Sequence, residues 1–144
     1  MGTINYKTSD YITLGVLTNE YSEEDIEFLY TEAQDILNNY NFYYIHVVIC
    51  PGYYEGFSID IELNYPVYYD DTAEKKEALK EVTTLKKCLF ELANVGLCAC
   101  TPGWCTGYAD YKRTIADIKN ATKEIKSDIC ATPTWRTYAK AETA

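Results

Sequence analysis

Basic residues are almost missing from the first half of this 144-residue chain. Residues 1–71 hold 13 Asp and Glu but one basic residue, Lys7, which gives a formal charge of −12. Residues 72–144 hold 9 acidic and 12 basic residues, which gives +3, so the two halves sum to the net charge of −9. A uniformly acidic chain gains solubility, whereas a polarised chain presents a field of one sign to a partner.

Long apolar runs and motifs for catalysis are also missing. No run of about 18 apolar residues exists, so the sequence predicts no membrane span. The start, MGTINYKTSDY, has neither a basic segment nor an apolar stretch, which argues against a signal peptide and predicts a cytoplasmic location. The chain contains no P-loop, Rossmann, zincin or nucleophile-elbow motif, so we expect a binding protein rather than an enzyme.

The pattern of apolar residues predicts a single α+β domain over residues 1–144, in the order β-α-β-β-α-α. Alternation predicts three strands, at 10–18, 42–50 and 57–64. Helical spacing predicts three helices, at 22–40, 72–94 and 108–130. We therefore expect a small antiparallel sheet packed on helices. The acidic, Tyr-rich β-α-β-β half covers 1–71, a C-terminal helical hairpin covers 72–132, and 133–144 forms an extended or frayed tail.

The first predicted helix carries carboxylates that have no Lys or Arg four residues later to pair with. They are Glu20, Glu23, Glu24, Glu27 and Asp35. Carboxylates four residues apart climb about 6 Å along a helix axis, which is of the order of the phosphate separation along a nucleic-acid strand. Together with Asp60, Glu62, Asp70 and Asp71, this surface is predicted to imitate a phosphate backbone. The alternative is a solvated, solubilising surface.

Tyrosine is the second concentrated residue type, because twelve of the fifteen tyrosines lie in the first half. Neighbours on a strand point to opposite faces, so about half should be exposed. Exposed tyrosine suits protein interfaces, whereas direct binding of nucleic acid is not expected of a half-chain with this charge. The tyrosines predicted to contact a partner are Tyr44, Tyr53, Tyr54, Tyr68 and Tyr69.

The single histidine, His46, lies on the second predicted strand. If the apolar residues of the second and third strands share one face, His46 faces Asp60 in one register and Glu62 in another. Such a pair is a structural cross-strand contact or, alternatively, half of a catalytic pair.

A cysteine cluster is the sharpest local pattern in the sequence. Cys98, Cys100 and Cys105 are spaced C-x-C-x4-C around a Pro-Gly-Trp segment. Three thiols on a tight loop are suited to zinc, with Cys130 or Cys88 as the fourth ligand. The alternative, which we favour, is that they are small residues packing a cap on the helical hairpin, with no cofactor.

The opening YKTSDYITLGV, followed by an acidic Tyr-rich stretch, resembles small accessory proteins of phages and mobile elements. In size, acidity and lack of catalytic motifs the chain is similar to anti-CRISPR and anti-restriction inhibitors that imitate nucleic acid. The resemblance implies an inhibitor in the bacterial cytoplasm that occupies the basic groove of a defence nuclease such as a CRISPR effector. The alternatives are a module binding a small molecule or nucleotide signal between the hairpin tyrosines and His46, and a hydrolase using His46.

Overall fold

The computed structural model describes residues 6–16, 22–51, 57–100 and 111–143. Within these ranges the chain forms β1 (Tyr6–Val16), α1 (Glu23–Asn38), β2 (Ile45–Pro51), β3 (Phe57–Pro66), α2 (Thr72–Val95), β4 (Cys98–Cys100), α3 (Tyr111–Ala131) and α4 (Trp135–Thr143). The mixture of helices with one antiparallel sheet confirms the predicted α+β class. No helix in these ranges is both long enough and apolar enough to cross a membrane.

The four strands form one sheet in the order β2-β3-β1-β4. β2 and β3 pair as the predicted hairpin, and the register places His46 opposite Glu62 and Val48 opposite Asp60. This pairing decides between the two predicted registers. β1 pairs antiparallel to β3, with a register shift between Asp10 and Ile12 that leaves Tyr11 as the extra residue of a bulge.

One face of the sheet supplies the core, and the helices cover that face. Alternation along each strand turns the apolar residues Leu14, Ile45, Phe57, Ile59 and Ile61 to this side, where all five are buried. The helices contribute buried residues at helical spacing: Leu29 and Ala33 from α1, Leu85, Leu89 and Leu92 from α2, and Ile118, Ile125 and Ile129 from α3. Each large side chain contributes about 1.5–3 kcal/mol by leaving water.

The ends of the helices follow from local side-chain chemistry. The hydroxyl of Ser22 accepts a hydrogen bond from the amide of Asp25 at 3.2 Å, which caps α1. Asp71 accepts from the amide of Glu74 at 2.8 Å, and the Glu74 carboxylate accepts from the amide of Asp70 at 2.8 Å. Gly96, with φ of 122°, ends α2 in a conformation that residues with a Cβ rarely adopt.

α2 and α3 form the predicted helical hairpin. Lys75 at the start of α2 donates to the carbonyls of Cys130 and Thr132 at the end of α3, both at 2.8 Å. At the other end, the amide of Ala99 donates to the hydroxyl of Thr114 at 3.2 Å. The two helices therefore run antiparallel, as the predicted hairpin requires.

Two predictions about the C-terminal half are wrong. The sequence pattern predicts a loop at 98–100, but these residues form β4, with Gly15 opposite Cys98. It also predicts an extended or frayed tail, but Trp135–Thr143 is a helix. Two hydrogen bonds to Tyr69 anchor this helix. The amide of Trp135 donates to the carbonyl of Tyr69 at 2.7 Å, and the amide of Tyr69 donates to the carbonyl of Pro133 at 2.9 Å. Both β4 and α4 therefore depend on contacts with residues that are distant in the sequence.

Removing one hydroxyl should loosen the sheet from α3. The Tyr11 hydroxyl, on the bulge of β1, donates to the carboxylate of Asp128 on α3. Because hydrogen bonds to charged groups are the stronger ones, Tyr11→Phe should lower the free energy of unfolding by about 1–2 kcal/mol in urea denaturation. The matched control is Tyr111→Phe, which removes an exposed hydrogen bond to Asn94 and should cost less. Equal effects of the two changes would contradict this assignment.

Candidate functional site

α1 turns its carboxylates to solvent, on the side away from the core. It contains six acidic residues and no basic one: Glu23, Glu24, Asp25, Glu27, Glu32 and Asp35. Among the described residues the ion pairs are Lys80–Glu77 and Arg113–Asp117, both outside α1. The negative charge of α1 is therefore left to solvent or to a partner.

Part of this charge has a structural explanation. Glu23, Glu24 and Asp25 lie in the first turn, where negative charge is stabilised by the positive end of the helix dipole. Glu27 and Asp35 lie further along the helix, where this effect has faded, and both are exposed. No basic residue of α1 offsets the repulsion between these carboxylates and their acidic neighbours. The fold therefore does not explain the charges of Glu27 and Asp35.

An exposed phenylalanine lies among these carboxylates. Phe28 is 64% exposed, and Glu24 and Asp35 lie one and two turns away on the same side of α1. A large exposed aromatic side chain surrounded by charge is typical of the anchor residues of protein interfaces. Our sequence reasoning missed Phe28. The signal was present, because Phe28 falls outside the apolar stripe of Ile26, Leu29 and Ala33. We call the surface formed by Glu24, Glu27, Phe28 and Asp35 the acidic face.

The segment that connects α1 to β2 lies along carboxylates of α2. One oxygen of Glu81 accepts hydrogen bonds from the amides of Tyr43 and Tyr44, at 2.9 and 3.0 Å. The hydroxyl of Tyr40 donates to Glu91 at 2.6 Å. Tyr43 is 82% exposed, although its neighbour Tyr44 is half-buried. The connection thus adds an exposed aromatic ring to an acidic surrounding.

Two tyrosines of this connection report the negative surroundings. Burial, followed by the nearby charges of Glu74, Tyr43, Glu81 and Glu77, raises the pKa of Tyr44 to about 12. The hydrogen bond to Glu91, followed by burial, raises the pKa of Tyr40 to about 12. Burial and nearby carboxylates together disfavour both phenolates, with burial the larger cause for Tyr44 and the hydrogen bond to Glu91 the larger cause for Tyr40.

Asp60 does not belong to the acidic face, contrary to the predicted single surface. It lies between the buried Ile59 and Ile61 on β3, and therefore on the outer face of the sheet, away from the helices. Its carboxylate accepts from the hydroxyl of Thr13 at 2.9 Å and from the thiol of Cys50 at 3.7 Å. These partners give Asp60 a structural role in tying β1 and β2 to β3.

The tyrosines predicted to contact a partner also differ from one another in burial. Tyr69 is fully buried, so the prediction that it contacts a partner is wrong. Tyr68 packs against Trp135 and Tyr138, with both pairs of ring centroids 4.9 Å apart, and is half-buried. Tyr44 is half-buried beside the exposed Tyr43. The predictions for Glu20, Tyr53, Tyr54 and the side chain of Glu62 lie outside the described part of the structure.

The structure separates the cysteines predicted to share a metal. Cys98 is next to Ala99, which contacts Thr114 at the start of α3, whereas Cys130 lies 16 residues further along that helix. This is about 24 Å along the axis, and zinc–sulfur bonds are about 2.3 Å. Cys130 and Cys98 therefore cannot bind one ion.

The other cysteines give no metal site within the described ranges. Cys88 is fully buried in the core, and burial, followed by the charge of Glu91, raises the pKa of its thiol to about 12. It therefore packs as a small apolar residue. No cluster of three or more potential ligands occurs among the described residues. Cys105 and the side chain of Cys100 lie outside them.

A small cavity lies between the end of α1 and β2. Its volume is about 240 Å³, and it is lined by Leu37, Tyr40, Phe42, Ile45, His46 and Val47. This volume is below the usual range of about 300–1,000 Å³ for pockets that enclose a ligand. His46 is exposed at its margin.

Comparisons of the chain with models of known protein families, with curated proteins and with solved structures found no match.

Alkaline titration should identify the two shielded tyrosines. Absorbance of the folded protein should show phenols ionising near pH 12 rather than 10, and each of Tyr40→Phe and Tyr44→Phe should remove one of them. Because both pKa values are raised by folding, the stability that they contribute is complete below pH 10 and is lost as the pH rises towards 12. Tyr43→Phe is the control and should keep both late phenols. Ionisation of all tyrosines near pH 10 would refute the assignment.

Proposed function

We propose that this chain is a non-enzymatic inhibitor that places its acidic face in the basic nucleic-acid-binding groove of a bacterial defence nuclease, such as a CRISPR effector. The observation that carries the proposal is α1 itself. Within the described structure its carboxylates have no basic partner, they point to solvent, and they flank an exposed Phe28. The resemblance in size and acidity to inhibitors that imitate nucleic acid supports the same function.

The length of the acidic face suits a groove made for phosphates. Glu24 and Asp35 are 11 residues apart on α1, which is about 17 Å along the axis. A nucleic-acid strand advances about 3.4 Å per phosphate along its helix axis. The acidic face therefore covers about the length of five nucleotides, with Glu27 between its ends. Lysine and arginine side chains arranged for such a strand can pair with these carboxylates.

The partner in this proposal is a protein, because the exposed aromatic residues add apolar contact area, which a phosphate backbone lacks. Phe28 offers apolar area among the carboxylates of the acidic face, and Tyr43 offers it beside Glu81 of α2. Complementary charge speeds association and selects the partner, while buried aromatic anchors slow dissociation. An inhibitor that combines the two can compete with a nucleic acid that binds through charge alone.

Charge reversal on α1 tests the proposal. Glu24→Lys/Glu27→Lys should abolish inhibition of the target nuclease, because both residues are exposed and the reversed charges are repelled by a basic groove. The melting temperature should change little, because the relief of repulsion within α1 offsets the loss of the favourable interaction between Glu24 and the positive end of the helix dipole. Panels of CRISPR effectors and restriction nucleases can be assayed for cleavage, with binding measured at low and high salt.

The matched control is Glu124→Lys, which reverses an exposed acidic residue on α3 and should inhibit as the parent does. Phe28→Ala should weaken binding at every salt concentration, because it removes an apolar contact that salt does not screen. Inhibition that survives Glu24→Lys/Glu27→Lys would rule out the acidic face as the inhibitory surface.

The second candidate function is a module that binds a small molecule or nucleotide signal. The cavity between α1 and β2 favours it, because Tyr40 and Phe42 offer aromatic surfaces and His46 a polar group. A ligand held there should raise the melting temperature of the parent protein, and His46→Gln should reduce that rise without unfolding the chain. Unlike binding at the acidic face, this effect should depend weakly on salt.

A further inference from the structure

Seven exposed lysines form two rows on the outer surface of the helical hairpin. Lys76, Lys80 and Lys87 lie on one side of α2, at spacings of four and seven residues. Lys112, Lys119, Lys123 and Lys126 lie on one side of α3, at spacings of seven, four and three residues. Such spacings keep the side chains on one face of a helix. We call these seven residues the lysine rows.

The hairpin surface is more basic than its sequence, because four of its carboxylates accept hydrogen bonds from other parts of the chain. Glu74 and Glu81 accept hydrogen bonds from backbone amides. Glu91 and Asp128 accept from tyrosine hydroxyls. Among the described residues of α2 and α3, Glu77 and Glu124 are the exposed acidic residues, and Glu77 pairs with Lys80 at 3.3 Å. On α3, Lys119, Lys123 and Lys126 are therefore exposed together with a single exposed carboxylate, that of Glu124, among the residues described.

The order of the helices separates the two charges within one layer. α2 packs against both α1 and α3. The end of α1 lies beside β2, where Leu37 shares a cavity with Ile45 and Val47, while α3 packs against β1 and β4. Since β2 and β4 are the opposite edges of the sheet, the layer runs α1, α2, α3. Its α1 edge is acidic and its α3 edge is basic.

We propose that two copies of this chain pair through their helix layers, about a two-fold axis that lies in the interface parallel to the helices. This rotation places the acidic face of each copy against the α3 lysine row of the other, with α2 opposite α2. Both charge contacts form at once, so the interface is self-complementary and closes as a dimer. Phe28 packs against the aliphatic stems of the opposing lysines.

The layer has the area that a stable dimer needs. Three neighbouring helices about 8–10 Å apart cover a width of about 30 Å. α1 contains 16 residues and is therefore about 24 Å long. The contact area is then about 700 Å² per copy, close to the roughly 800 Å² per partner of standard interfaces.

A second copy fits this surface better than nucleic acid does. A phosphate backbone laid across the lysine rows would approach the six carboxylates of α1, which lie in the same layer. A second copy turned by the two-fold axis sets each acidic face against the α3 lysine row of the other copy, while the α2 row, in which Lys80 pairs with Glu77, faces its own equivalent. This inference does not depend on the identity of the nuclease, but it implies that a target groove competes with the dimer for the acidic face.

The oligomeric state in solution tests the dimer, measured by sedimentation or light scattering. The parent chain should be a dimer at about 0.05 M salt and shift to monomer at about 1 M, where the Debye length is about 3 Å. Lys119→Glu/Lys123→Glu should be monomeric at low salt, and so should Glu24→Lys/Glu27→Lys. An equimolar mixture of the two variants should form a dimer, because each reversed helix then meets its opposite. Arg136→Glu, on α4, is the control and should remain dimeric.

Three results would overturn the inference: a parent chain that is monomeric at low salt, a variant mixture that stays monomeric, or a dimer that Lys119→Glu/Lys123→Glu does not weaken. Loss of binding to a DNA duplex by that variant, with its dimer intact, would assign the lysine rows to nucleic acid instead. The same variant keeps its acidic face and should still inhibit the target nuclease, so failure of the dimer and failure of the proposed function are distinguishable.

Discussion

The inward-turned carboxylates of α2 and α3 join the acidic first half of the chain to its helical second half. Glu81 holds the amides of Tyr43 and Tyr44, Glu91 accepts from the Tyr40 hydroxyl, and Asp128 accepts from Tyr11. The first three contacts fix the connection between α1 and β2, and the last fixes the bulge of β1 against α3. Carboxylates that accept hydrogen bonds from uncharged donors avoid the full desolvation of an ion pair. The contacts of Glu81 and Glu91, together with the burial of Leu29 and Ala33, position α1 on the sheet.

The same contacts decide the charge of the surface. Because four carboxylates of the hairpin are turned to donors from other segments, the lysines of α2 and α3 have few acidic neighbours at the surface. α1 has no basic residue, so its carboxylates stay exposed without ion pairs in the described structure. Two surfaces of opposite charge therefore lie in one helix layer, with the mixed charges of α2 between them. The proposed inhibition uses the first surface, and the proposed dimer uses both.

Phe28 and Tyr43 turn a charged surface into a candidate interface. Exposed charge by itself provides long-range attraction that salt screens, and it distinguishes poorly between basic partners. Aromatic rings at 64% and 82% exposure add area that only a close, shaped contact can bury. Tyr69 differs from these two rings, because it is fully buried in the core although it lies in a tyrosine-rich segment. Tyrosine content alone is therefore a poor guide to the binding surface.

The sequence by itself determined the features that depend on near neighbours. The amphipathic α1, the caps at Ser22 and Asp71, and the β2–β3 hairpin follow from periodicity and from side chains a few residues apart. Only the tertiary structure decided between the two registers of His46, because alternation permits both. It also decided the pairing of β4 with β1, since three residues carry too short a pattern. Tyr69 is buried and α4 is helical because segments 65 residues apart meet at Thr134. Asp60 leaves the acidic face because the hairpin turns it to the other side of the sheet.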